Sequence, residues 1–155
     1  MRGYLLDTNH VGAYNNQVPS VMQKLRLIPA DWQIRVCTIT LGEIEAGHLR
    51  NPPTDQQKRK DYEKLLHENF LHHALCISIH TRIFYAKLIA GIFQLYPPSS
   101  KNPKTEEHLR RLGVDINDVW ICASAMEHNL TLVTEDNMKC IKDAAGTGLL
   151  FDCWL

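Results

Sequence analysis

The sequence predicts an α/β domain with a mainly parallel sheet and helices on both of its faces. Two observations carry this. Short apolar or β-branched runs, GYLLD, IRVCTIT, LCISI, LTLVT and LLFDCWL, are strand-like, and the longer segments between them carry apolar residues at helical spacing. Strand and helix alternate along the chain, and that order builds parallel sheets, because each return to the same edge needs a crossover that a helix supplies. A third observation sets the scale: 155 residues can bury a core without disulfide or metal staples, so residues 1–155 read as a single domain.

Taken in order, GYLLD is the first strand, and VPSVMQKLRLI is a helix with Val21, Leu25 and Ile28 on one face. IRVCTIT is a second strand, and LGEIEAGHLR is the helix after it. TDQQKRKDYEKLLHENFLHHA is an amphipathic helix, capped near Thr54 or Asp55 and turning Leu65, Leu66 and Phe70 inward. LCISI is the third strand, and TRIFYAKLIAGIFQLY is a helix with two apolar faces, hence well buried. PPSSKNPKTEEHLRRLG is polar and proline-rich and reads as an inserted loop. NDVWICASAMEH is a helix, apolar nearly all round, with Asn117 as its expected cap. LTLVT and LLFDCWL are the last strands, with a short helical segment around DNMKCIKDA between them.

Composition narrows the function. Seventeen basic residues balance seventeen acidic ones, which argues against strong, indiscriminate binding to nucleic acid but leaves room for a local basic track. Lys101, Lys104, Arg110, Arg111 and the Lys58–Arg59–Lys60 run are the candidates, and all read first as solvated helix faces. Five widely spaced cysteines, an odd number with no C-x-x-C pair, suggest reduced and mostly buried thiols. No apolar run approaches the roughly 20 residues of a membrane span, and the N-terminus does not resemble a signal peptide. A cytoplasmic protein with no membrane association is expected.

The chemistry lies in the acids. In an open α/β sheet, ligands bind beyond the carboxyl ends of the strands, and four acids fall at that edge. Asp7 ends the first strand, Glu43 sits in the first turn of the helix after the second, Asp118 opens the buried helix, and Asp136 follows LTLVT. Singly, the last three are explained by the affinity of carboxylates for helix starts, about 0.3–1 kcal/mol each. Together they are not. Two carboxylates about 4 Å apart repel by roughly 4 kcal/mol at an effective dielectric of about 20, so four must take up protons or share a divalent cation. Hard cations such as Mg²⁺ or Mn²⁺ favour all-oxygen ligands and leave positions for water and phosphate oxygens. An all-carboxylate site therefore points to phosphodiester or phosphoryl chemistry.

Other patterns fall away. GEIEAGH has P-loop glycine spacing, but His48 stands where lysine is required, no Ser or Thr follows, and both glycines sit inside a helix pattern. In HENFLHH the histidines His67 and His72 are five residues apart and point roughly 140° from one another on a helix. A phosphatase using an aspartyl nucleophile would need a second Asp at position 9, where the chain has Asn9.

The stretches LLDTN, TITLGEIEAG, DINDVWICASAMEHNLTLVTEDNM and the closing strand resemble, in order and spacing, the PIN domain, and within it the VapC-type toxins of bacterial toxin–antitoxin pairs. The likeness runs over essentially the whole chain and is weakest over residues 51–113. It implies a three-layer α/β/α sandwich with four to five strands and a metal-dependent endoribonuclease. It further implies that Asp7, Glu43, Asp118 and Asp136 are the catalytic acids and hold one or two Mg²⁺ or Mn²⁺ ions. Thr8 and Asn9 beside the first acid, and Thr134 before the fourth, match the family's supporting positions, with Asn137 a weaker candidate. Asp115 is a rival for the third acid, but Asp118 is preferred because the small-residue helix follows it directly. His10, as close to Asp7 as these, is given no role. The implied partners are an RNA substrate, a cognate antitoxin and a second copy of the chain. The alternatives are a PIN nuclease of RNA processing without a toxin role, and a non-catalytic PIN-type binding module.

Overall fold

The computed structural model describes residues 2–52 and 73–155, with residues 57, 60, 61, 64 and 68 between them. The cap and inward residues expected for the helix over 54–74 (Thr54, Asp55, Leu65, Leu66 and Phe70) lie outside the described residues.

Five strands form one sheet: β1 (Gly3–Leu6), β2 (Gln33–Cys37), β3 (Ala74–Leu75), β4 (Thr131–Val133) and β5 (Phe151–Asp152). Their spatial order is β3-β2-β1-β4-β5, and every pairing is parallel, so the expected mainly parallel sheet is wholly so. Strand β1 sits at the centre, with Leu6 in register with Val36 on one side and Val133 on the other. The chain enters that central position closely: a Cβ on Gly3 would lie 2.3 Å from the Gln33 carbonyl oxygen.

Alternation along the strands sorts the core into two layers. Leu5, Cys37 and Leu132 face one cluster, whereas their neighbours Leu6, Val36 and Val133 face another. The second cluster is covered by α1 (Thr8–Asn15), α2 (Pro19–Leu27) and α3 (Thr38–Arg50). The first is covered by α4 (Thr81–Leu95), α5 (Thr105–Arg111), α6 (Ile116–Glu127) and α7 (Lys139–Ala145). This is the α/β/α sandwich expected. Helix α4 packs mainly on α6 and α7, and the approach to α7 is tight at Gly91, where a Cβ would stand 3.1 Å from that of Ala144.

Several boundaries differ from the sequence reading. Helix α1 was not expected, because Thr, Asn, His, Val, Gly and Tyr are all indifferent helix formers and the segment has no apolar stripe. The second strand stops at Cys37, and Thr38, Ile39 and Thr40 form the first turn of α3; packing of Ile39 against the first core cluster overrides the strand preference of β-branched residues. Strand β3 precedes rather than includes Cys76–Ile79. The supposed loop over 97–113 contains α5, whose Glu106 and Glu107 lie in the first turn and Arg110 and Arg111 in the last, matching the helix dipole. All five cysteines are free, but only Cys37 and Cys122 are buried, and Cys76 and Cys153 are exposed. No helix among the described residues is long and apolar enough to cross a membrane.

Candidate active site

Strand β1 delivers Asp7 to the carboxyl edge of the sheet, where its backbone N–H donates to the Val133 carbonyl at 3.1 Å and extends the pairing with β4. Asp7 is also the N-cap of α1. Its Oδ1 accepts the backbone N–H of His10 at 2.8 Å, three residues into the cap, and contacts His10 Nδ1 at 2.9 Å. Both contacts fall on one oxygen. Asp7 is 4% exposed, and its Oδ2 is buried with no hydrogen-bond partner among the described residues. An unpaired buried polar atom costs about 1–3 kcal/mol, and more when it carries charge.

Glu43 lies in the second turn of α3 rather than the first, since that helix begins at Thr38. It is therefore not a helix-start residue. Thr8 Oγ1 donates to its Oε2, and Asn117 Nδ2 donates to its Oε1 at 2.8 Å. These bonds tie α3 to the first turns of α1 and α6. Asn117 does not cap α6; Asp115 does, accepting the Asn117 N–H at 2.8 Å. That places Asp118 at the third helical position.

The Asp118 carboxyl is pushed from the ordinary aspartate range up to about 7. Burial is the largest cause, followed by the negative charges of Asp115, Asp136, Glu43 and Asp7. Cys122, one turn further along α6, is pushed up by its own burial and then by Asp118. Asp136 is exposed on the loop after β4. Thr134 Oγ1 accepts its backbone N–H at 3.0 Å, so the buried threonine shapes the turn that presents the acid. Lys142 Nζ donates to the Asp136 carbonyl at 3.3 Å.

Asp7, Glu43, Asp118 and Asp136 line one cavity of about 520 Å³, with Thr8, Asn9, Asn137 and Lys139 also on its wall. Asp115 reaches the same cavity. Among the described residues no three acidic, histidine or cysteine groups already stand close enough to ligate one ion, so the acids share a cavity and a field rather than a closed coordination shell. The donor set nevertheless fits a hard divalent cation. It is all oxygen, it holds a buried carboxylate oxygen with no partner among the described residues, and burial, reinforced by the neighbouring negative charges, pushes Asp118 up to about 7.

Reading the residues in sequence missed two groups here. His10, given no role from the sequence, is fully buried against Asp7; the signal for that contact was its place three residues after an Asp that could cap a helix. Asn117 supports Glu43 across 74 positions, and nothing in the sequence pattern could announce that. Conversely, none of the described basic candidates lines the cavity. Lys101, Lys104 and Arg110 are exposed and absent from the cavity wall, and Arg111 pairs with Glu107 at 2.6 Å. Lys60 is exposed, while Lys58 and Arg59 lie outside the described residues.

A family model of the PIN domain matches residues 4–146. No curated protein matches the sequence. Solved structures align over nearly their full length, among them three from toxin–antitoxin systems of different bacteria. VapBC2 from Rickettsia felis, solved on a DNA fragment from its promoter, is 22% identical, with 100% of both chains covered and a TM-score of 0.68. VapBC-1 from nontypeable Haemophilus influenzae is 20% identical, covering 99% of this chain and 98% of that one, with a TM-score of 0.65. VapBC-5 from Mycobacterium tuberculosis, a member of the VapBC family of toxin–antitoxin systems, is 22% identical over 98% of this chain and 96% of that one, with a TM-score of 0.56. At these identities the likeness concerns the fold.

Proposed function

This chain belongs to the PIN-domain family, and on that premise we propose that it is a divalent-cation-dependent endoribonuclease, the toxin of a type II toxin–antitoxin pair restrained by a cognate antitoxin. The observation that carries the nuclease reading is the convergence of four acids on one cavity, with Asp7 Oδ2 unpartnered and Asp118 pushed up to about 7. The toxin reading is supported by the full-length likeness to chains from VapBC complexes. A cytoplasmic location and a homodimer belong to the same reading.

Asp7, Glu43, Asp118 and Asp136 would hold Mg²⁺ or Mn²⁺. A hard cation there supplies positive charge for a phosphate oxygen and lowers the pKa of a water. The chain's own contributions are separable. Asp7 offers a buried, fixed oxygen. Thr8 and Asn117 each occupy one oxygen of Glu43 and set its orientation. Asp118, pushed up to about 7, would give up its proton to ligate a cation. Thr134 holds the turn that carries Asp136. Asn9 and Asn137, exposed on the cavity wall, offer amide groups to a phosphodiester entering from solvent. Lys139, on the same wall, adds positive charge near the mouth, though its Nζ is shared with Asp143 and Tyr96.

Purified protein with Mn²⁺ should cleave a structured RNA, and Asp7→Asn should lower the rate on the order of 10³-fold, as expected when several kcal/mol of charge stabilisation is lost. The asparagine can still cap α1, so the melting temperature should change little. Cleavage that persists in the variant or in EDTA rules out the proposed site. The toxin role is tested separately: growth arrest on induced expression, relieved by co-expression of the product of a small adjacent gene, supports it.

A further inference from the structure

We propose that His10 is a positioning residue for Asp7: its ring N–H fixes one carboxylate oxygen, so that Asp7 presents only Oδ2 to a divalent cation, while the backbone at Trp154 fixes the ring. This rests on the reading of Asp7 as a cation ligand. It concerns which oxygen is offered and what holds it.

The ring's protonation pattern follows from its two neighbours. The Trp154 backbone N–H lies 3.2 Å from His10 Nε2, and a peptide N–H can only donate. Nε2 must therefore present its lone pair and carry no proton. In a neutral imidazole the proton is then on Nδ1, which points at Asp7 Oδ1 at 2.9 Å. The ring is 0% exposed and sits edge-on to the Trp154 indole, with centroids 6.2 Å apart and planes at 86°. Both ring nitrogens have protein partners, and the ring has no contact with solvent.

The consequence lies in the lone pairs. Oδ1 accepts from both the His10 backbone N–H and the His10 ring, which uses its two acceptor directions. Chelation through both Asp7 oxygens would require giving up one of these bonds. Oδ2 is buried, free and in a side chain that lines the acidic cavity. The chain thus builds a one-oxygen ligand, held by a histidine whose other nitrogen is anchored beyond the last strand of the sheet. Such outer partners of metal ligands typically change affinity by 10–100-fold when removed.

A buried histidine that merely fills space would show the same burial, so the test must separate the two ring nitrogens. His10→Asn places an amide N–H close to the position of Nδ1 and keeps the donor to Asp7, but is too short to accept from Trp154. His10→Gln reaches the position of Nε2 and can accept from Trp154, but offers Asp7 no donor. With the full chain and Mn²⁺ alone as probe, calorimetry should give His10→Asn an affinity close to the unmutated protein, and His10→Gln a loss of about 10–100-fold. Equal affinities for the two variants, or tighter binding by the glutamine variant, overturn the proposal. Should both variants fail to fold, ¹⁵N NMR of the histidine rings in the unmutated protein decides: His10 protonated on Nδ1 supports the proposal, and a proton on Nε2 overturns it. An unmutated chain that binds no Mn²⁺ removes the metal-site reading itself, an outcome distinct from equal binding by the variants.

Discussion

The two halves of the acidic cavity are built differently. Asp7 and Glu43 are each held by two hydrogen bonds, from the His10 backbone and ring in one case and from Thr8 and Asn117 in the other. Asp118 and Asp136 are carried by a helix turn and a loop, and among the described residues no hydrogen bond reaches either carboxylate. One half is preorganised by neutral donors from α1 and α6. The other has no such donors, and burial first and like charge second push Asp118 up to about 7. On the proposed function, a cavity so divided would have a fixed side that sets where positive charge can sit and a responsive side whose protonation follows whether it is there.

The largest effect should come from loosening the fixed side without removing an acid. Thr8→Val combined with Asn117→Ala frees both oxygens of Glu43, and Mn²⁺ affinity measured by calorimetry should fall on the order of 10–100-fold. Glu43 is partly exposed, so water can replace the lost donors and the cation-free protein should melt at nearly its original temperature. Unchanged affinity would mean that the acids, not their supports, set the site, and the contrast between the halves would lose its meaning.

The responsive side makes a prediction in pH. Asp118 has a folded value of about 7, above its value in an unfolded chain. Between those two values the folded state holds more protons than the unfolded state, so stability falls as pH rises. The contribution is fully present below the unfolded value and gone above about pH 7. Without divalent cation, the melting temperature should therefore drop between about pH 4 and pH 7 and then level off, and Asp118→Asn should remove most of that slope. Mn²⁺ should raise the melting temperature more at pH 8 than at pH 5, since a proton must leave at the lower pH. A cation-induced shift independent of pH would take Asp118 out of the site.

How much of this was legible in sequence follows the same division. The sheet, the two-sided helical cover and the four acids could be read because each is a local pattern: an apolar run, a helical period, a carboxylate at a strand or helix end. The supports of Glu43 could not. Thr8 and Glu43 are 35 positions apart and Asn117 and Glu43 are 74 apart, and their contact exists only once β1 lies between β2 and β4. Helix α1 was hidden for a different reason, its residues being weak helix formers held in place by the Asp7 cap and by burial of His10, Val11 and Ala13. With α1 unseen, the link from His10 to Asp7 was unseen too. Thr38 to Thr40 failed in the opposite direction, a strand-like triplet drawn into a helix by packing.

The smallest predicted effect settles the rivalry between Asp115 and Asp118. Both line the cavity, but Asp115 is spent on the α6 cap, where Oδ1 accepts the Asn117 N–H. Asp115→Ala should cost about 1 kcal/mol, the usual value of such a cap, and lower the melting temperature by about 2–4 °C for a chain of this size. Mn²⁺ affinity should change little. Asp115 is also the largest of the charges that push Asp118 up, so its removal should shift the pH-dependent drop in stability to lower pH. Those two signs together are specific. A cap that also served as a ligand would lose Mn²⁺ binding outright, and a cap remote from Asp118 would leave the pH profile where it was. Only an acid that caps the helix and repels its neighbour, without holding the cation, lowers the melting temperature slightly, moves the titration and spares the affinity.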